Sequence, residues 1–204
     1  MKILVLGNKS SWEELTAGNK NVQWQKANSI DDLIEPNDAI ACFNLSAQAY
    51  LDDHGKIGKP VFINAVSNTL HEINAGKNIV RINGWNGFLK RNSWEVAGNV
   101  SESHQQVLVS LQKKVIVTPD EPGFISARII SMIINEAFYA KGENISTEDE
   151  IDIAMKLGTN YPHGPFEWAR EIGLKNIYDL LTSLSKTDMR YNPAPLLEQK
   201  AKHQ

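Results

Sequence analysis

Apolar residues in the first 118 positions fall into short runs set apart by polar stretches: "KILVLG" at 2–7, "NVQWQ" at 21–25, "AIACFN" at 39–44, "PVFINA" at 60–65, "NIVRI" at 78–82 and "VIVT" at 115–118. Most of these runs are almost continuously apolar. That pattern predicts strands covered on both faces, as in a mostly parallel sheet. Helix-length polar segments or turns separate most of them. One such segment, "SESHQQVLVSLQK" at 101–113, has the amphipathic period of a helix, with Ser101 or Ser103 as its cap.

After "PDEPGF" the strands stop and a helical period takes over. The stretch 124–142 is apolar almost all round and ends at Gly142, which predicts a central helix buried on several sides. The stretch 146–158 opens on a capping box, Thr147 with Glu150, and carries Ile151, Ile153, Ala154 and Leu157 at helical spacing before Gly158. Further helices are predicted from Pro165 to Ile172, from Lys175 to Leu184 and from Pro195 onward. The chain therefore reads as an α/β domain over 1–118 followed by an all-helical domain over 119–204.

Charge and composition narrow the choice of partners. With 21 Lys and Arg against 24 Asp and Glu, the net charge is -3, which offers no basic footprint for nucleic acid or an anionic membrane. The single cysteine, Cys42, excludes an internal disulfide and a multi-cysteine metal site; within an apolar run it is expected to be a buried small hydrophobe. "MKILVLGN" turns polar too early for a signal peptide, and no apolar stretch spans a bilayer, so a cytoplasmic location is expected. No metal site is expected. His54, His71, His104 and His203 fall in segments that read as polar surface, and no two histidines have metal-ligand spacing. His163 sits in a Pro-His-Gly turn between helices, where a structural or surface role is expected.

The first strand-to-helix turn, "LVLGNKSSW" at 4–12, is where a Rossmann-like domain places a pyrophosphate. Gly7 alone fills the glycine pattern; Lys9 and Trp12 stand where the second and third glycines belong. No acid closes the second strand to hold a ribose, and Lys26 there reads as a solvated lysine. Farther along, Asn83, Asn86 and Glu95 punctuate residues 81–98; the ordinary account makes the asparagines turn residues and sets Glu95 facing water. Ser67 and Asn68 follow a strand's carboxyl end, where open α/β sheets bind ligands. None of these groups is a proton shuttle tuned to neutral pH.

Residues 120–184 resemble the C-terminal domain of the 3-hydroxyacyl-CoA dehydrogenases. Pro122-Gly123-Phe124, Arg128, Asn135-Glu136-Ala137, Asp152 and Gly164-Pro165-Phe166 fall in the family's order, and "RYNPAPLLEQ" at 190–199 continues the match. The resemblance implies a dinucleotide-binding domain, a helical dimerisation domain and an active site between them. It implies hydride transfer between NAD and carbon 3 of a hydroxyacyl thioester, with a His as acid and base, a Glu orienting it, and a Ser and an Asn holding the reacting oxygen. Carried over residue by residue, the His position is Asn83, the Glu is Glu95, the Ser is Ser67, and the Asn is Ala127. An amide cannot carry a proton near neutrality and a methyl group cannot donate. The helical pair that contacts the CoA tail has only "SIDDLIE", 29–35, in its place. The expectation is therefore a dehydrogenase-family homodimer, paired through its helical domain, with no bound cofactor, weak or absent NAD-dependent chemistry and a small acyl-CoA-like ligand. The alternative is an active 3-hydroxyacyl-CoA oxidoreductase that uses NAD and draws its proton from Glu95 or from a water held by Asn83 and Ser67.

Overall fold

The computed structural model describes residues 1–19, 21–35, 37–46 and 56–203. Two compact units divide the chain, Met1–Phe124 and Ile125–Gln204. In the first, seven strands form one sheet in the order β2-β1-β3-β4-β5-β6-β7. They are β1 (Lys2–Leu6), β2 (Gln23–Ala27), β3 (Ala41–Asn44), β4 (Val61–Asn64), β5 (Ile79–Ile82), β6 (Ser93–Gly98) and β7 (Lys114–Thr118). All neighbours run parallel except β5 and β6. The sheet is Rossmann-like and mostly parallel, as its apolar runs imply.

Alternate residues of those runs bury on opposite faces. Ile3, Val5, Phe43, Phe62 and Val80 pack with Leu15 of helix α1 (Lys9–Thr16) and with Val107, Leu108 and Leu111 in and just after α3 (Glu102–Ser110). Leu4, Cys42, Val61, Ile63 and Ile79 pack with Leu33 of α2 (Ile30–Ile34) on the other face. Phe43 and Phe62 stack at 4.5 Å, tying β3 to β4. Burial of the Cys42 thiol pushes it up to about 11, which keeps it protonated and inert. The second strand begins two residues later than its apolar run suggests, because an edge strand with an exposed face needs no continuous hydrophobicity. The other edge strand, β7, leaves Val115, Ile116 and Val117 exposed.

His104 departs from the sequence reading. It is 1% exposed rather than on polar surface. Its Nδ1 lies 2.7 Å from Ser101 Oγ, its Nε2 lies 3.0 Å from the Asn78 carbonyl, and its ring meets Phe62 edge-on. Ser101 heads α3 but spends its hydroxyl on this ring and on Ser103 rather than on the helix's own amides. His54 lies outside the described residues. His71 and His203 are exposed, as expected.

The second unit comprises α4 (Ser126–Gly142), α5 (Glu148–Thr159), α6 (Pro165–Ile172), α7 (Leu174–Ser185), a 3-10 turn (Met189–Tyr191) and α8 (Pro195–Lys202). Helix α4 buries Ile130, Ile134, Ala137 and Phe138 but leaves Ile129 56% exposed, so it is not buried all round. Helix α5 has the expected Thr147–Glu150 capping box, yet its apolar stripe faces outward: Ile153 and Leu157 are exposed, and only Asp152 is buried. Asp152 accepts hydrogen bonds from the Phe166 and Glu167 amides at 2.7 and 3.1 Å, so it caps the start of α6. A Cβ on Gly164 would collide with that carboxylate, which is why the chain needs glycine there. Asn135 joins α4 to the start of α8, donating to the Asn192 carbonyl at 2.9 Å and accepting from the Ala194 amide at 2.8 Å. Among the described residues no helix is long and apolar enough to cross a membrane, and no cluster of three metal-ligating side chains occurs.

Candidate functional site

The carboxyl ends of the parallel strands carry one residue type in common. Each of the five, β1 to β5, ends on or within two residues of an asparagine: Asn8, Asn28, Asn44, Asn64 and Asn83. Asn44 is 1% exposed and its Oδ1 accepts from the Ser46 amide and hydroxyl at 3.2 and 2.7 Å. Asn64 Oδ1 accepts from the Gly84 amide at 3.1 Å, an approach so close that a Cβ on Gly84 would stand 2.8 Å from that side chain. Asn83 is 5% exposed and its Oδ1 takes the Trp85 amide at 3.4 Å. This edge of the sheet is thus set with amides, none able to transfer a proton, and in Asn8, Asn44, Asn64 and Asn83 the side-chain oxygen accepts a backbone amide of the protein itself.

Of the residues singled out from sequence, Asn83 and Glu95 come together on neighbouring strands. Ile82 of β5 pairs with Val96 of β6, so the register carried on by one residue sets Asn83 opposite Glu95. Glu95 is 8% exposed, against the ordinary account of a carboxylate facing water. Asn86 sits in the loop that follows, and Gly87 in that loop donates its amide to Glu14 Oε1 of α1 at 2.7 Å. Glu14, which no motif in the sequence marks, is therefore the strut between the first helix and the Asn83–Asn86 loop.

Ser67 and Asn68 lie just past β4, in a loop secured by Arg81. This arginine of β5 is wholly buried. Its Nη1 donates to the carbonyls of Ala65 and Asn68 at 2.8 and 2.6 Å, and its Nη2 donates to the Glu121 carbonyl at 2.8 Å. Its Nε is 2.8 Å from Asp120, whose carboxylate also accepts the Leu70 and His71 amides. The Gly123 amide donates to the Val66 carbonyl at 2.7 Å, and Phe124 lies under the Arg81 guanidinium at 4.8 Å. Phe124 has φ +51, a left-handed conformation rare for an aromatic residue. Its burial against Arg81 offsets that strain. Nothing in the sequence pattern flags Arg81 except its oddity, a charge inside an apolar run.

Gly7 follows β1 and is half-buried. A Cβ there would lie 2.7 Å from Ser11 Oγ and 3.1 Å from Leu45 Cβ, so the protein's own side chains take the close approach that this glycine allows. The Asn8 side chain accepts the Ser11 amide at 2.8 Å, capping α1 internally. Lys26 is exposed on the edge strand β2, as read from sequence. In the helical unit Ala127 is buried and offers no donor, and His163 flanks Glu167 and Glu171 on the surface of α6 at 4.0 and 3.8 Å.

The helical unit carries a sequence match to a known family. The model of the 3-hydroxyacyl-CoA dehydrogenase C-terminal domain matches residues 123–204. Over this stretch the chain is similar to the 3-hydroxyacyl-CoA dehydrogenases. It is 42% identical over 91 residues to 3-hydroxyadipyl-CoA dehydrogenase of Escherichia coli, a match covering 44% of this chain and 19% of that protein. It is 40% identical over 98 residues to 3-hydroxybutyryl-CoA dehydrogenase of Bradyrhizobium diazoefficiens, covering 47% of this chain and 33% of the relative. The chain thus spans a third or less of these relatives. In fold, the (S)-3-hydroxybutyryl-CoA dehydrogenase of Ralstonia eutropha superposes with a TM-score of 0.72 at 19% identity, covering 99% of this chain and 93% of that one.

Proposed function

We propose that this protein keeps the dehydrogenase-family scaffold as a dimeric binding protein for a small acyl-CoA-like ligand and carries little or no NAD-dependent hydride chemistry. The observation that carries this reading is Asn83, a buried amide where the family resemblance places the titratable base. Loss of a positioned general base is worth about a hundred- to ten-thousandfold in rate. The residues after β1 do not fit a dinucleotide. The first helix is capped by Asn8, the space beside Gly7 is filled by Ser11 and Leu45, and Lys9 and Trp12 stand where backbone would have to approach a diphosphate. The amide-lined strand ends suit hydroxyl and carbonyl groups of a ligand. The outward Ile129, Ile153 and Leu157 support pairing of two copies through the helical unit.

A second reading has one observation in its favour: Glu95 is retained, buried and set opposite Asn83. It would make the protein an active 3-hydroxyacyl-CoA oxidoreductase with NAD, in which Glu95 or a water held by Asn83 and Ser67 supplies the proton.

Two measurements on the purified chain separate the readings. NADH fluorescence is expected to show no saturable micromolar binding, and acetoacetyl-CoA reduction is expected to stay at background in the parent and in Glu95→Gln alike. Saturable NADH binding together with turnover that Glu95→Gln abolishes would establish the second reading instead.

A further inference from the structure

The helical unit holds a cavity of about 300 Å³ that shares no residue with the strand-end site. Its floor is apolar: Phe138 of α4 and Phe166 of α6, with ring centroids 4.9 Å apart, and Leu174 at the start of α7. Its mouth is charged. Glu148, the first residue of α5, lies 2.6 Å from Lys200 Nζ of α8 and 3.7 Å from Arg170 Nη1 of α6. Two cations therefore flank the one carboxylate that lines the mouth, and with Asp152 behind Arg170 the cluster is balanced in charge. Asp152, behind Arg170 at 3.3 Å, is committed to the α6 amides. The Lys200 ammonium also stands 5.8 Å from the Phe138 ring, at the seam between mouth and floor.

We propose that this cavity binds a short-chain monocarboxylate. The carboxylate takes the place of Glu148 between Lys200 and Arg170, and the alkyl chain lies on Phe138 and Phe166. The size admits about ten waters, the low end for a ligand pocket and too small for any nucleotide-bearing molecule. Exchange of one carboxylate for another keeps the cluster balanced, and a guanidinium fork beside an ammonium is the pairing that recognises a planar carboxylate. The apolar floor rewards a chain that inorganic anions lack. In the free protein Glu148 stands in for the ligand, holding the two cations in place. The inference does not rest on the reading of the strand-end site.

The test is calorimetric titration of the full chain with hexanoate, with hexanamide as the neutral probe of the same shape and inorganic phosphate as the anion without a chain. Hexanoate is expected to saturate one site per chain, and each control to bind at least about tenfold more weakly. Lys200→Gln and Arg170→Gln are expected to weaken hexanoate severalfold, and Glu148→Gln, which removes the internal competitor, to strengthen it. All three side chains reach the surface, so an unchanged melting temperature certifies the fold of each variant. The proposal is overturned by no saturable hexanoate binding, by hexanamide or phosphate binding as well as hexanoate, or by cation and Glu148 variants that leave the affinity unmoved.

Discussion

Asn83 and His104 show how far side-chain chemistry depends on surroundings that a pattern of residues does not record. Asn83 reads as a turn residue because asparagine is common in turns. Its meaning comes from β5 and β6, which bury it opposite Glu95. His104 lies on the polar side of a short amphipathic helix in sequence, yet Ser101 one turn back and the Asn78 carbonyl draw it inside. Burial holds the His104 imidazole below its ordinary value of 6.5, with the Asn78 bond opposing. Because the folded value lies below the unfolded one, this contribution to stability is present above pH 6.5 and lost as pH falls through it. Urea unfolding is expected to show stability declining as the pH drops from about 7 to about 5, and a His104→Leu variant, less stable at neutral pH, is expected to lose most of that slope. Glu150 titrates separately: hydrogen bonds from Ser146 and Thr147 hold it down at about 2, so its contribution fades only below pH 4.5. Arg81 was legible as an anomaly in an apolar strand, but its four partners were not, since they come from loops 13 to 40 residues away.

At the scale of elements, most strand and helix positions follow from hydrophobic periodicity, though β6 is absent from the apolar runs, while the choice of buried face does not follow. Helix α5 illustrates this. Its capping box was visible in the sequence, but the helix runs through Gly158 to Thr159 and stops on the left-handed Asn160, its apolar stripe points outward and its buried residue is the aspartate. Asp152 is the joint between α5 and α6, receiving two backbone amides that would otherwise be buried without partners. Charge-assisted bonds of this kind contribute about 1.5–3 kcal/mol each. Asp152→Ala is expected to destabilise the helical unit by about 3 kcal/mol, seen in calorimetry as a melting temperature lower by about 10 °C or more. The row of strand-end asparagines was also in plain view, in "LGN", "KAN", "CFN", "FIN" and "RIN". It is informative only once the parallel register sets those residues along one edge of one sheet.

For the molecule as a whole, the sequence match to the 3-hydroxyacyl-CoA dehydrogenases lies in the helical unit, while the sheet unit is Rossmann-like. Ile129 at 56% and Leu157 at 82% exposure are costly to leave in water. With Ile153→Glu and Leu157→Glu combined, light scattering is expected to report a monomer where the parent chain runs as a dimer. A parent that is already monomeric would remove pairing from the proposed function. The amide-set edge has a consequence of its own. With their oxygens already accepting from the Ser11, Ser46, Gly84 and Trp85 amides, four of the five carboxamides are held in one orientation and cannot exchange donor for acceptor. Such an edge is polarised rather than adaptable, and a guest resting on it would have to bring acceptors rather than donors.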